Sequence, residues 1–397
     1  MSQRILLYGA TGFSGRLIAD WALKRGDALV LASRDARALR RQAAAVKMAH
    51  IAFGLDDRRR VLRVLEGFDV VINAAGPFNQ TAERLAKAAI ETSCSYVDIN
   101  GEIDVYKTLD DLGDSAERRG VTLVCGAGHT ATISDILLDS ALTELPADDI
   151  GAVRIAVSRS LNLSRGSTLT MLRSIREQVT IVRAGIDPDS GARTKELRLT
   201  HVPVGRLERT FDFSMQHDSE QQAPRFGRLI ASASNLVDTL TARCTAARHK
   251  VTPDRIEAYI EMPAPLRFAY QLGALSAIFF RFPGTSQAIA SQVKQLPEGP
   301  DRQERMKNRH RVVLEIEDRS RALLVDWRIE TPDPYDFTAR CAYEVAAELA
   351  EKGFKQRGWV TPSAALASRG LPVPSDAEAM EESALWHGCR LERRRPP

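Results

Sequence analysis

Cysteine is scarce and scattered: Cys94, Cys125, Cys244, Cys341 and Cys389 are the only five in 397 residues, and no two form a CxxC pair. This spacing excludes a disulfide framework and a zinc cluster, so no metal is expected, and it fits thiols kept reduced inside a cell. No sign of charge dominates. The 55 Lys and Arg against 51 Asp and Glu leave a net charge of +4, which argues against a surface built to hold nucleic acid. Long apolar runs are also missing. The most apolar later stretch, Phe268 to Phe282, contains Gln271 and Arg281 and is too short to cross a bilayer. It reads first as a buried helix, with an interfacial helix in peripheral contact with a membrane as the alternative. The first strand pattern starts within three residues of Met1, leaving no room for a signal peptide's charged and apolar regions, so a cytoplasmic protein is expected. The chain has no internal repeat, no low-complexity block, and no HExxH, G-x-S-x-G or YxxxK motif. Their absence removes the simplest metalloprotease, esterase and short-chain-reductase readings.

What the chain does have is an apolar strand followed by three glycines at GxxGxxG spacing and an amphipathic helix, in residues 4 to 25. That combination reads as a dinucleotide-binding turn formed by Gly9, Thr11, Gly12, Phe13, Ser14 and Gly15. Gly9 permits the tight turn, Gly12 the approach of a pyrophosphate, and Gly15 close packing of helix on strand. The helix start then offers amides and a positive dipole end to the phosphates.

The first 140 residues alternate short apolar runs with helical spacing. Ile5 to Tyr8, Ala28 to Ala32, His50 to Phe53, Val70 to Asn73, Tyr96 to Ile99 and Val121 to Cys125 read as strands, with helices such as Arg16 to Arg25 and Ala82 to Thr92 between them. Such alternation implies an α/β, doubly wound parallel sheet covered on both faces. From about Asp148 the pattern changes to alternating segments, Val153 to Ser158, Glu196 to Val204 and Val312 to Ile316, expected to be antiparallel strands with one solvated face. Residues 295 to 311 read as exposed loop, and Arg393 to Arg395 as part of a solvated tail. An Ala-rich helical segment over residues 337 to 352 suits packing on a sheet, so the chain is expected to return to its first domain. The expected organisation is a Rossmann domain over 1–147, an inserted α+β substrate domain over 148–334, a returning segment over 335–370 and a tail over 371–397.

The candidate site residues lie at strand ends. After the second strand, Ser33 and Arg34 suit a ribose 2′-phosphate, since guanidinium pairs with phosphate and stacks on adenine. Asp35 beside them would instead suit a free 2′-hydroxyl. The balance favours NADP(H). The fourth strand runs into Asn73, Ala75, Gly76 and Pro77, where small residues let a cofactor lie against the backbone, although Gly-Pro also makes an ordinary turn. Asp98, Glu102 and His129 follow the fifth and sixth strands and are the polar candidates for catalysis, with His129 suited to proton donation near neutral pH. Each also has a plain reading: Asp98 as a turn cap, Glu102 as a solvated acid, His129 as the start of a helix. Arg165 or Arg173 would be candidates to hold a substrate carboxylate or phosphate.

In order, Gly-Ala-Thr-Gly-Phe-Ser-Gly, Leu-Ala-Ser-Arg, Asn-Ala-Ala-Gly-Pro-Phe and Tyr-Val-Asp-Ile-Asn-Gly-Glu resemble the saccharopine dehydrogenase-like oxidoreductases, a group that includes trans-acting enoyl reductases. Ser164 to Thr168, Gly299-Pro300, Thr331 to Tyr335 and Val360 to Ala364 are similar to later family segments. The resemblance implies a discontinuous Rossmann domain with an inserted mixed domain, NADP(H) use and a small-molecule substrate, with a homodimer compatible. One departure is Thr130, which stands where relatives usually carry an Asp, so that residue's role does not transfer. The expected function is NADPH-dependent reduction of a polarised double bond, enoyl or imine, in an apolar or acyl-bearing molecule. The alternative is a non-catalytic NADP(H)-binding sensor or scaffold.

Overall fold

A computed structural model describes residues 4–146, 149–160, 162–174, 178–187, 190, 193–218, 223–271, 293, 295–367 and 377–394. The chain divides into two compact units, the first comprising Met1–Thr132, Pro334–Pro374 and Glu382–His387, the second Ile133–Asp333, Ser375–Glu381 and Gly388–Pro397.

The first unit is built on a seven-stranded parallel sheet. Its strands are β1 (Ile5–Tyr8), β2 (Val30–Ser33), β3 (His50–Ala52), β4 (Val70–Asn73), β5 (Ser95–Asp98), β6 (Thr122–Val124) and, far along the chain, β15 (Gly358–Val360). Their order is β15-β6-β5-β4-β1-β2-β3, with chain order reversing at β1 and β4. Ligands of open parallel sheets bind outside the carboxyl ends of the strands at such a switch point. Leu6, Leu7, Val71, Ile72 and Leu123 are fully buried, as the continuous apolar runs require of strands covered on both faces. The crossovers are α1 (Phe13–Lys24), α2 (Ala36–Val46), α3 (Arg58–Leu65) and α4 (Phe78–Glu91). The Asp57 carboxylate caps α3 by accepting from the Arg60 amide. The Pro334–Leu349 helix buries Ala339, Ala342, Val345, Ala346 and Ala347 and packs on α1, where Trp21 donates to Glu344 at 3.3 Å.

The second unit holds a mixed sheet of order β10-β11-β12-β7-β13-β14-β16, with β8 pairing to β12 and β9. Its strands are β7 (Ile150–Val157), β8 (Val179–Ile186), β9 (Arg193–Val202), β10 (Glu208–Asp212), β11 (Arg228–Ala233), β12 (Arg255–Glu261), β13 (His310–Asp318), β14 (Leu323–Thr331) and β16 (Arg390–Arg394). β7 and β12 run parallel, and β7 pairs antiparallel with β13. Register puts Val153, Ile155 and Val157 on one face with Ile256, Ala258, Val312, Leu314, Trp327 and Ile329. The other face carries Arg154 opposite both Glu257 and Glu315, then Asp326 opposite Arg394.

This second face corrects the expectation of a solvated side, because all of β7 is buried. Arg154 reaches Glu317 at 2.6 Å and Glu257 at 3.2 Å, and Tyr259 donates to Glu257 at 2.9 Å. Buried charge is tolerated where ion pairing and hydrogen bonds satisfy it. Two further expectations are corrected. Residues 302–307 form a helix rather than loop, because Asp301 and Glu304 make a reciprocal capping box at its start. Arg393 and Arg394 belong to β16, where Arg393 lies over Trp327 at 4.4 Å and Arg394 pairs with Asp212 at 2.9 Å; Arg395, Pro396 and Pro397 lie outside the described residues. Phe268 is 64% exposed on the Ala264–Gln271 helix, and residues 272–282 of that apolar stretch also lie outside the described residues. Among the described residues, no helix is long and apolar enough to cross a membrane.

Candidate functional site

The glycine turn has geometry that only glycine satisfies at two of its three positions. Gly9 has φ +86°, and a Cβ on it would lie 2.6 Å from the backbone of Ala74 and Ala75. A Cβ on Gly15 would lie 2.2 Å from the Gly9 carbonyl oxygen. Gly12 is less constrained, at 3.3 Å from the same oxygen. Gly12 also begins α1, and no side chain caps that helix start. The first turn of α1, Phe13, Ser14 and Gly15, therefore faces the switch point with its dipole end uncompensated by a carboxylate, as a pyrophosphate site requires. The Phe13 ring turns onto Tyr335, edge to face at 5.1 Å.

Past β2 the polar groups are arranged by hydrogen bonds. Ser33 is buried, its hydroxyl 3.0 Å from that of Thr11, and it accepts from the Asp35 amide at 3.2 Å. The Asp35 carboxylate accepts from the Ala38 and Arg37 amides as the N-cap of α2, which holds its carboxyl below the ordinary range. That acid is committed to the helix it starts. Arg34 is exposed, and its charge opposes the rise that burial imposes on the Tyr8 phenol. A guanidinium and a hydroxyl are thus the groups the strand end offers to a 2′-phosphate.

Asn73 is fully buried and spends its amide inside the protein. It donates to Tyr96 at 3.1 Å and Thr81 at 3.3 Å and accepts from the Ala75 amide at 3.0 Å. The Thr81 hydroxyl then donates to the Ala75 carbonyl at 2.6 Å. Asn73 thereby shapes the loop that holds Ala75, Gly76 and Pro77, of which Gly76 and Pro77 are exposed.

Asp98 ties the ends of β5 and β6 together. Fully buried, it accepts from the Gly126 amide at 2.8 Å, the Asn100 amide at 3.0 Å and the Tyr96 hydroxyl at 2.8 Å. Burial outweighs these bonds and pushes its carboxyl up to about 6. Glu102 sits after β5 and accepts from the Phe78 amide at the start of α4, at 3.4 Å. His129 begins the His129–Glu144 helix; its amide donates to Thr338 at 3.0 Å, and its ring meets Phe337 edge to face at 5.5 Å. The residue is 5% exposed. Arg165 opens the Arg165–Ser174 helix of the second unit, and the side chain of Arg173 lies outside the described residues.

Residues 5–124, which hold the turn, Ser33-Arg34 and Asp98, match the family described as the saccharopine dehydrogenase NADP binding domain. The nucleotide domain belongs to that family. The saccharopine dehydrogenase type of architecture extends over the whole chain: apo saccharopine dehydrogenase (L-Glu forming) from Saccharomyces cerevisiae aligns over 99% of both chains with a TM-score of 0.61, at 12% identity. A lipid droplet localized protein of Caenorhabditis elegans is 27% identical over 72% of this chain and 70% of its own. The trans-acting enoyl reductase of Mycobacterium tuberculosis strain H37Rv is 30% identical over 141 residues, 33% of this chain and 34% of that protein. The chain thus matches about a third of the enoyl reductase's length. NADP(H) is the cofactor that the match to this NADP binding domain supports, and the glycine cradle and the Ser33-Arg34 strand end fit it.

Sequence reasoning missed Thr338, Phe337 and Tyr106. All three serve the loops at the carboxyl ends of β5 and β6, and the Tyr106 hydroxyl donates to the Cys125 carbonyl at 2.7 Å. Thr338 and Phe337 come from a helix some 200 residues downstream of His129, a separation that no local pattern signals.

Proposed function

We propose that the protein uses NADPH to reduce a polarised double bond, enoyl or imine, in an apolar or acyl-bearing small molecule. The observation that carries this reading is the glycine cradle with Ser33 and Arg34 at one end of the nucleotide track and His129 following β6. The identity to enoyl reductases over about a third of the chain supports the reaction class, and the lipid-droplet relative supports an apolar substrate. NADPH, when bound, supplies the hydride. Gly9, Gly12 and the first turn of α1 would hold the pyrophosphate, Ser33 and Arg34 the 2′-phosphate, and the 75–77 loop the nicotinamide half.

The reaction then needs one proton for the atom of the double bond that does not receive hydride. His129 is the group assigned to deliver it through its imidazole. Asp98 acts on that site as a positioning residue, because its carboxylate fixes the backbone at Asn100 and Gly126. Glu102 joins the start of α4 to the loop after β5 and keeps the two loops in register. The reading keeps the protein in the cytoplasm with its thiols reduced.

A second reading, NADP(H) binding without turnover by a sensor or scaffold, is favoured by the burial of the His129 ring against Phe337 and by Thr130 at the altered position. The two separate in one assay. Enoyl thioesters, cyclic imines and ketones are each offered with NADPH, and absorbance is followed. The reductase reading predicts oxidation with an enoyl thioester or imine, reduced about a hundredfold or more in His129→Gln, the size general acid catalysis supplies. Binding of NADPH with no oxidation on any of the three classes would leave the sensor reading.

A further inference from the structure

Most buried guanidiniums in the second unit are matched to carboxylates. Arg311 has no exposed surface; it donates to Glu330 through Nε at 2.8 Å, to Asp218 through Nη1 at 2.8 Å, and to the Phe213 carbonyl at 2.8 Å. Arg159 pairs with Glu261 at 3.4 Å while remaining 43% exposed. Arg225 differs. Its Nη2 donates to the Asn308 side chain at 3.0 Å and the Arg309 carbonyl at 2.9 Å, and it pairs with no carboxylate among the described residues. Both Nη2 hydrogens are used, which leaves one N–H on Nε and two on Nη1 with no acceptor among the described residues.

Other cations and an aromatic ring surround Arg225. Its guanidinium lies 4.8 Å from the centre of the Phe226 ring, and that of Arg311 lies 4.1 Å from the same ring. Asn308 is itself held by donating to Asp333 at 2.8 Å. Burial, with the charges of Arg159 and Arg311, depresses the Arg225 pKa from its ordinary value, against the opposing pull of Glu330 and Glu261. A partly buried cation without a counter-ion is costly, and an oxyanion that accepts its remaining hydrogens removes that cost.

We propose that Arg225, with Arg159 beside it, forms an oxyanion-binding site in the second domain that takes the carboxylate or phosphate of a small molecule. The group completes the hydrogen bonding of Arg225, whose guanidinium packs against the Phe226 ring. Asp218 and Glu330, spent on Arg311, do not compete for it. The site does not depend on the reductase reading, because its occupancy is read without turnover.

The test titrates the full chain with sodium butyrate in one arm and sodium phosphate in the other, following the thermal midpoint, with ionic strength held constant by sodium chloride. The expected result is a saturable rise in midpoint in at least one arm that chloride alone does not produce; the tighter arm tells carboxylate from phosphate. In Arg225→Gln the half-saturating concentration rises about tenfold or more, the size expected for losing a charge-assisted hydrogen bond. Arg206→Gln, at an exposed position, titrates as the parent does. If Arg225→Gln does not fold, Arg159→Gln, at the solvent edge, is expected to weaken the same titration. Equal effects of chloride and both oxyanions overturn the proposal, as does an unchanged titration in whichever of the two variants folds.

Discussion

Both sheets bury apolar side chains, and they differ in where they bury polar ones, because every covered polar group needs a partner. In the parallel sheet the strand interiors are mostly apolar, and the buried polar groups Ser33, Asn73 and Asp98 sit at carboxyl ends. In the mixed sheet one face is aliphatic and the other carries ion-paired rows through β12, β7, β13, β14 and β16. Polarity at strand ends builds a ligand site on an inert frame. Ion pairs set among apolar residues such as Ala156, Tyr259 and Val313 make part of the frame itself electrostatic, and Arg225, beside that sheet and without a carboxylate partner among the described residues, is the exception that points to a ligand.

The sharpest way to break this contrast is to remove one member of a buried row. Arg311→Met leaves Asp218 and Glu330 facing each other, and the expected loss is about 3–5 kcal/mol in denaturant unfolding. Adding Asp218→Asn and Glu330→Gln to the same variant should restore much of it, since well-packed neutral groups cost less than an orphaned charge. If the single variant loses under about 1 kcal/mol, water reaches the row and the face is not a buried one. In the parallel sheet the equivalent strain is in the backbone. Gly9→Ala must accept a positive φ and a clash with Ala74 and Ala75, so we expect ~1–3 kcal/mol of destabilisation with loss of NADPH binding. Gly12→Ala should lose less of both, and a reversed order would contradict the geometry.

A smaller effect separates the two regions by pH. Burial raises the Asp98 carboxyl to about 6, above its unfolded value of about 4. A raised carboxyl stabilises the fold fully below the unfolded pKa, and that contribution is lost as pH rises through about 6. Asp98→Asn should flatten the fall in stability over that window and leave the slope outside it unchanged. An identical pH profile in parent and variant would show that Asp98 does not titrate with folding. The smallest expected change is Arg393→Ala on the edge strand, within about 1 kcal/mol, the size of an exposed cation over an aromatic ring.

The aliphatic sheet was legible in the sequence and the electrostatic one was not. Ile5–Tyr8 and Val70–Asn73 coincide with strands read from apolar runs, and the other early strands and helices shift by only a few residues, because continuous apolar runs between helical segments admit few alternatives. The glycine turn was legible through its spacing, and the structure adds which glycines meet backbone. Alternation in β7 and β13 was visible too, but an Arg in an alternating strand reads as solvated. Its partners Glu257 and Glu317 are more than 100 residues away, so pairing is invisible until the strands are adjacent. β16 was missed for a related reason: a run of arginines at a chain end reads as solvated, and only Trp327, Asp212 and Glu392 supply the aromatic face and carboxylates that order it.

We propose that Ser33 and Arg34 hold the 2′-phosphate of NADP(H) while Asp35 is committed to capping α2. The most direct measurement is a parallel titration of the parent and Arg34→Ala with NADPH and NADH, read by nicotinamide fluorescence at one ionic strength. The account predicts NADPH tighter than NADH by about tenfold or more in the parent, with most of that margin gone in the variant and NADH affinity unchanged. Preference for NADH in the parent, or an equal NADPH affinity in the two proteins, would contradict it.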